Sequence, residues 1–209
     1  YIFHPKSIAI AGVSTDMNKV GPGRFFIDSH LQQGYKGKLY GIGRNGGEYH
    51  GVKIYASLLD IPDKVDYVIS SVPSEHAPAL LRECAAKGVP AVHMFTAGFA
   101  EISDPAGARL QSEVLAIARQ HGIRLLGPNC MGLYCPASGL SFEHGMPRRS
   151  GHVGFVSQSG GNAIKSIREA ETKGIHFSKI VSFGNAADLD ESDFIDYFTD
   201  DPETHIITA

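Results

Sequence analysis

Short, apolar, β-tending runs alternate with helix-patterned segments from residue 8 to residue 126, and that alternation leaves few folds open. The runs are 8–13, 38–42, 65–72, 91–95 and 123–126, and the helical patterns are 24–33, 74–87 and 106–121. Each helical pattern is stopped by a glycine, at Gly34, Gly88 and Gly122, where a left-handed residue can end a helix. The strand-like runs are almost continuously apolar rather than alternating, so they are expected to be buried on both faces. Strands of that kind, separated by helices, predict an α/β fold with a parallel sheet covered on both sides.

In such sheets ligands bind where the chain leaves the carboxyl ends of the strands. The first of these exits runs from Gly12 through Ser14 and Thr15 to Asn18, Lys19, Gly21, Pro22 and Gly23, just before a helix. Strand, glycine-rich loop and helix N-terminus together can cradle phosphate, although the same layout also serves as a structural turn. It is neither G-x-G-x-x-G nor a Walker A sequence. The second exit carries Arg44 at the place, ~20 residues on, where an NAD-binding domain has an acidic residue for the ribose hydroxyls. A guanidinium recognises phosphate, so the expected ligand bears a phosphate on its ribose, as NADP and coenzyme A do. The fifth run breaks at Gly127-Pro128 and then presents Asn129 and Cys130, an amide and a thiol, at the same edge. By themselves these two residues equally suit a tight turn with a buried, inert cysteine.

Residues 134–150 are rich in Pro, Gly and Ser and read as a linker between a domain at 1–134 and the start of a second at 151–209. Glu143, His144 and His152 match no metal-ligand spacing and are expected to be solvated. Residues 153–156 form another buried-type run, followed by Ser157, Ser159, Gly160, Gly161 and Asn162 and then a helical pattern. This is a second candidate anion cradle; it lacks the first glycine of a nucleophile elbow and any Ser, acid, His order. The next run, 179–183, leads into Asp188, Asp190 and Glu191, which could hold a divalent ion or simply open a helix capped by Ser192. A final strand is expected from residue 206.

Composition excludes several function classes. The 209 residues carry 19 basic and 22 acidic side chains, a net charge of −3, with no basic stripe to suggest nucleic acid. The three cysteines form no C-x-x-C pair or zinc pattern, which reads as a reducing cytoplasm. No signal peptide and no apolar run near ~18 residues is present, so a membrane span is not expected. The chain opens on Tyr1 and ends on an apolar strand pattern, and is read as a fragment.

Gly127-Pro128-Asn129-Cys130-x-Gly132, Ser157-x-Ser159-Gly160, Ser182-x-Gly184-Asn185-x-Ala187-Asp188 and Asp201-Pro202-Glu203-Thr204 stand in fixed order after Pro5-Lys6-Ser7-Ile8-Ala9. This ordered set resembles the ADP-forming (NDP-forming) acyl-CoA synthetases, relatives of the succinyl-CoA synthetase α subunit, over essentially the whole chain. The resemblance implies a Rossmann-like CoA-binding domain followed by an incomplete flavodoxin-like α/β domain. It implies a ligase that interconverts acyl-CoA, ADP and phosphate with acid, CoA and ATP through acyl-phosphate and phosphohistidine intermediates. By position, Gly12, Ser14, Thr15, Lys19, Gly21 and Arg44 would hold the nucleotide end of CoA. Val72, Pro73, Thr96, Ala97 and Gly98 would line its cleft, and Asn129 and Cys130 would lie near its thiol. Ser159, Gly160, Gly161 and Asn162 would receive the phosphoryl group.

Arg44, and Gly161 in place of a hydroxyl residue, depart from the family pattern. The phosphohistidine of the family falls beyond Ala209, and His205 does not match it, so no catalytic residue is assigned. ATP or ADP, with Mg, would be bound only by an ATP-grasp domain or subunit that this chain lacks, in an oligomeric assembly. Two other readings stand beside this one. An NADP-dependent oxidoreductase accounts for Arg44 but not for the second loop, and a non-catalytic CoA-sensing module of a protein acyltransferase would lack the histidine.

Overall fold

The structure is a computed structural model that describes residues 2–16 and 21–209. Strand β1 (Ser7–Ala11) shows how the sequence dictates the layering. It is wholly buried, and its residues alternate in their surroundings. Ile8 and Ile10 join one apolar cluster, whereas Ala9 and Ala11 join another on the opposite face. Around it the chain runs through α1 (Pro22–Gln33), β2 (Lys38–Ile42), β3 (Gly47–Tyr49), β4 (Val52–Tyr55), β5 (Tyr67–Ser70), α2 (Ala77–Lys87), β6 (Ala91–Met94), α3 (Pro105–His121) and β7 (Arg124–Leu126). These strands make a seven-stranded sheet in the order β3-β4-β2-β1-β5-β6-β7. All neighbours pair in parallel except β3, which returns antiparallel on β4.

The chain leaves β1 towards β2 on one side and later resumes at β5 on the other. The strand order therefore switches at β1, and the carboxyl ends of β1 and β5 diverge to form a crevice. Two strands of this sheet were not expected from the sequence. β3 and β4 are short and half exposed, joined by His50 and Gly51, both at positive φ. They complete one edge of the sheet where a loop is the simpler reading. Helix α2 also starts later than the pattern suggests, because Ser74–His76 form a 3₁₀ turn and the α-helix begins at Ala77 with Pro78 in its first turn.

The second half contains β8 (Gly132–Tyr134), β9 (Val153–Ser157), α4 (Gly160–Thr172), β10 (Phe177–Ser182), α5 (Glu191–Asp200) and β11 (Ile206–Thr208). Its four-stranded sheet has the order β11-β9-β10-β8, with β8 antiparallel to β10 and the other pairs parallel. The residues that read as the end of the first unit, Gly132 to Tyr134, thus pair in the second sheet.

Residues 135–147 are largely packed rather than solvated, whereas Arg148, Arg149 and Ser150 are exposed as expected of a linker. Cys135, Leu140, Ser141, Phe142 and Met146 are buried, and Tyr134 Oη and Gln33 Nε2 both donate to Pro147 O at 2.8 Å. His144 lies against the Phe25 ring at 4.5 Å and meets Phe25 O at 3.2 Å. This segment packs on α1 because it carries apolar side chains that the Pro, Gly and Ser content obscures. One apolar cluster runs unbroken from Ile8, Ile10 and Ile69 of the first sheet to Val156, Ile180, Phe194 and Phe198 of the second half. The two halves therefore share a core.

Candidate functional site

A cavity of about 800 Å³ opens at the switch point. Its floor is apolar, made by Ala11, Val13, Ile42, Val72 and Leu80, and its rim carries Ser14, Thr15, Arg44, Asn45, His76 and Glu83. Backbone geometry makes the entrance. Gly12 sits at φ +93°, and a Cβ there would lie 2.7 Å from Ser71 Oγ and 2.8 Å from the Ser71 carbonyl. Only glycine fits this position, and its N–H, like that of Val13, is bonded to Ile42 O at 3.0 Å.

Arg44 stands exposed on the rim after β2, and its guanidinium makes no ion pair among the described residues. Glu83 is differently placed. Its carboxylate accepts from Ser57 Oγ at 2.7 Å and from Leu58 N at 2.9 Å, so it holds the 57–60 turn that follows Ala56 of the cavity wall. An open, apolar-floored cleft with a cation at its mouth that is unengaged among the described residues suits a flat heteroaromatic group bearing a phosphate.

The structure brings six of the thirteen expected CoA-binding residues together here. Gly12, Ser14, Thr15, Arg44, Val72 and Pro73 line one cavity. Gly21 is set apart as the extended residue at the start of α1, and Lys19 lies outside the described residues. Thr96, Ala97 and Gly98 continue along the strand ends beyond the cavity. Thr96 Oγ1 donates to Val72 O at 2.6 Å, and its carbonyl accepts from Asn129 N at 3.2 Å. Val72, Thr96 and Asn129 thus form a hydrogen-bonded ledge across the carboxyl ends of β5, β6 and β7.

At the far end Asn129 is exposed at φ +58°. Cys130 turns inward: it is 5% exposed, its Sγ faces Met94 O at 3.8 Å, and burial pushes its thiol well above the ordinary range. Cys130 therefore offers this edge a backbone position and no thiolate.

No local motif signals how the second half closes on this ledge. Asn185 N donates to Pro128 O at 2.9 Å, Ala187 N to Gly127 O at 3.0 Å, and Leu189 N to Leu125 O at 3.1 Å. The Asn185 amide also reaches Glu101 Oε2 at 2.5 Å and meets Asn129 Nδ2 through its Oδ1 at 3.4 Å. The acidic loop is committed to structure. Asp188 accepts from Leu125 N at 2.7 Å and pairs with Arg124 at 3.0 Å. Asp190, rather than Ser192, caps α5 in a reciprocal capping box with Asp193. Among the described residues no group of three or more His, Cys, Asp or Glu side chains is placed to hold a metal ion.

The other glycine-rich loop opens α4. Ser159 is the N-cap, and its Oγ accepts from Asn162 N at 3.4 Å. A cavity of about 560 Å³ lies beside it, lined among others by Gln158, Asn162, Lys165, Phe183 and Glu191. Of the four residues expected to hold phosphate, Asn162 lines this cavity. Ser159, Gly160 and Gly161 form the helix start beside it. Lys165, one turn into α4, is the cation that the loop sequence itself lacks.

The geometry of a crevice at a switch point agrees with a match to known proteins. Residues 6–136 match the family described as the CoA binding domain. The chain belongs to this family. Residues 150–209 match the succinyl-CoA ligase like flavodoxin domain. An ADP-forming acetate–CoA ligase of Methanocaldococcus jannaschii is 40% identical over 99% of the chain, which spans 29% of that protein. The α subunit of ADP-forming acetate–CoA ligase II of Pyrococcus furiosus is 36% identical over 99% of the chain and 44% of its own length. Among solved structures, a dinucleotide-forming acetyl-coenzyme A synthetase of Ca. Korarchaeum cryptofilum, determined in complex with phosphate and ADP, superposes with a TM-score of 0.89 and 37% identity. That match covers 98% of the chain and 43% of the synthetase. The chain thus spans less than half the length of these relatives. No helix among the described residues is long and apolar enough to cross a membrane.

Proposed function

We propose that this chain is the CoA-binding portion of an ADP-forming acyl-CoA synthetase, and that a second, anion-binding site lies at the start of α4. The observation that carries the reading is Arg44, exposed at the mouth of the switch-point cavity and without an ion pair among the described residues. In this reading the adenine enters the apolar slot between Ile42, Val72 and Leu80. The Ser14 and Thr15 hydroxyls and the loop amides face the phosphates, and Arg44 takes the ribose phosphate. The ledge of Val72, Thr96 and Asn129 guides the pantetheine arm towards Asn185. CoA supplies the thiol that becomes acylated, and this chain binds and orients it. Phosphoryl transfer, the nucleotide site and the acid specificity belong to the rest of the parent enzyme, including an ATP-grasp domain or subunit. Location in the cytoplasm and assembly into an oligomer follow from the same reading.

Calorimetry with CoA, dephospho-CoA, NADP and NAD tests the assignment. CoA is expected to bind more tightly than dephospho-CoA by ~1.5–3 kcal/mol, the loss of one charged hydrogen-bonded contact, and NAD to bind weakly. Equal affinity for CoA and its dephospho form removes Arg44 from the site. Tighter binding of NADP than of CoA transfers the cavity to the oxidoreductase reading.

A further inference from the structure

A second, smaller cavity lies in the shared core, away from the ligand ledge. It has room of about 10 Å³ for the centre of a water molecule. It sits where α1, β5 and β6 of the first half meet β8 and the 140–142 segment of the second. Its polar lining is unusual for a core. Tyr67, His30 and His93 are each no more than 2% exposed, and the Tyr67 hydroxyl has no hydrogen-bond partner among the described residues. A buried hydroxyl left without a partner is costly and rare.

The two imidazoles fix the hydrogen-bonding pattern of the remaining wall. His30 Nδ1 lies 2.8 Å from Phe26 O, and His93 Nε2 lies 2.9 Å from Cys130 O. A carbonyl can only accept, so each of these nitrogens carries the hydrogen. In a neutral ring the other nitrogen then presents a lone pair. Burial holds both rings neutral, with pKa values lowered to about 4. Ser141, the other polar residue of the lining, is already engaged, its Oγ donating to Glu143 O at 2.7 Å, which leaves one O–H donor on Tyr67 and two nitrogen acceptors on His30 and His93.

We propose that this cavity is a binding site for one structural water, which accepts from Tyr67 Oη and donates its two hydrogens to His30 Nε2 and His93 Nδ1. One acceptor lone pair and two donors match the three wall groups, and three hydrogen bonds are usual for a buried water. The available room is that of a single water molecule. A metal ion is disfavoured, because no third His, Cys, Asp or Glu joins the two imidazoles. The water joins side chains of α1, β5 and β6 under a lid formed by Leu133, Leu140 and Phe142, so it is enclosed only when the two halves are docked. This site is independent of the CoA reading.

A crystal structure of the chain at ~1.5 Å or better, with the thermal stability of one conservative variant beside it, tests the site. One isolated density peak is expected ~2.7–3.2 Å from Tyr67 Oη and from both ring nitrogens. Absence of the peak overturns the proposal, and so does anomalous scattering that identifies it as a metal. The Tyr67→Phe variant gives an independent reading through the sign of its effect. If the hydroxyl is bonded to water, Tm falls by ~2–4 °C. If the hydroxyl is unsatisfied, its removal leaves Tm unchanged or raises it, which overturns the proposal.

Discussion

Gly160 and Gly161 are adjacent and chemically identical, yet the fold uses them differently. A Cβ on Gly160 would run into the Met131 side chain, whereas one on Gly161 would have only Ser159 Oγ nearby, at 3.8 Å. Gly160 is thus explained by close packing of α4 on the turn after β7, and Gly161 is free to serve the loop. Gly160→Ala is expected to cost ~1–3 kcal/mol in urea unfolding through overpacking. Gly161→Ala should be neutral or stabilise by up to ~1 kcal/mol; equal losses at both positions would remove this distinction. Gly161 is then the place to perturb the anion site. Helix N-termini carry roughly half a positive charge, so millimolar phosphate should shift the backbone amide signals of residues 160–162 in NMR. No shift there would leave the glycines with a structural role alone.

Between elements, the strongest polar link joins β10 to the turn that follows α5. Lys179 is fully buried, with Nζ 2.7 Å from Asp201 and 2.5 Å from Glu203. Burial opposes its charge, but hydrogen bonds to the two carboxylates more than offset this and raise its pKa. Asp201 also accepts from Thr204 Oγ1 at 2.6 Å, and Thr204 meets Ser178 at 2.7 Å. Removing Asp201 leaves the buried Lys179 with Glu203 alone and Thr204 Oγ1 without its acceptor, so Asp201→Ala should destabilise by ~1–3 kcal/mol. Adding Lys179→Met should restore part of that loss, since an apolar chain of similar volume needs no partner. Chemical denaturation of the single and double variants measures both. A double variant weaker than Asp201→Ala alone would show that the ammonium is not the source of the cost.

Across the whole molecule, acid should loosen the junction of the two halves before it protonates most carboxylates. His30 and His93 lie at that junction, and burial, countered in part by their carbonyl partners, lowers their pKa values from 6.5 to about 4. Between these values the unfolded chain binds protons that the folded chain does not. Stability is therefore full above pH ~6.5 and falls as pH drops towards ~4, by up to ~3 kcal/mol per imidazole. Urea midpoints should decline measurably from pH 7 to pH 5. A flat profile over that window would mean that the two rings titrate normally and that the junction admits solvent.

The local pattern of apolar runs, glycine stops and small-residue loops determined the parallel α/β fold, the strand exits that bear ligand residues and the position of Arg44. These features are set by neighbours within a few residues, through periodicity and backbone freedom, so they are legible in the chain. Tertiary structure decided the rest because it depends on partners distant in sequence. Gly132–Tyr134 joins the second sheet through β10, and the thiol of Cys130 is turned towards Met94. Asn185 closes on Gly127–Asn129 from 56 residues away, and Asp190 rather than Ser192 caps α5 once Asp193 can answer it. The Tyr67, His30 and His93 cavity is the extreme case. Its three polar groups come from separate elements of the first half, and Leu133, Leu140 and Phe142, more than a hundred residues from His30, close over them.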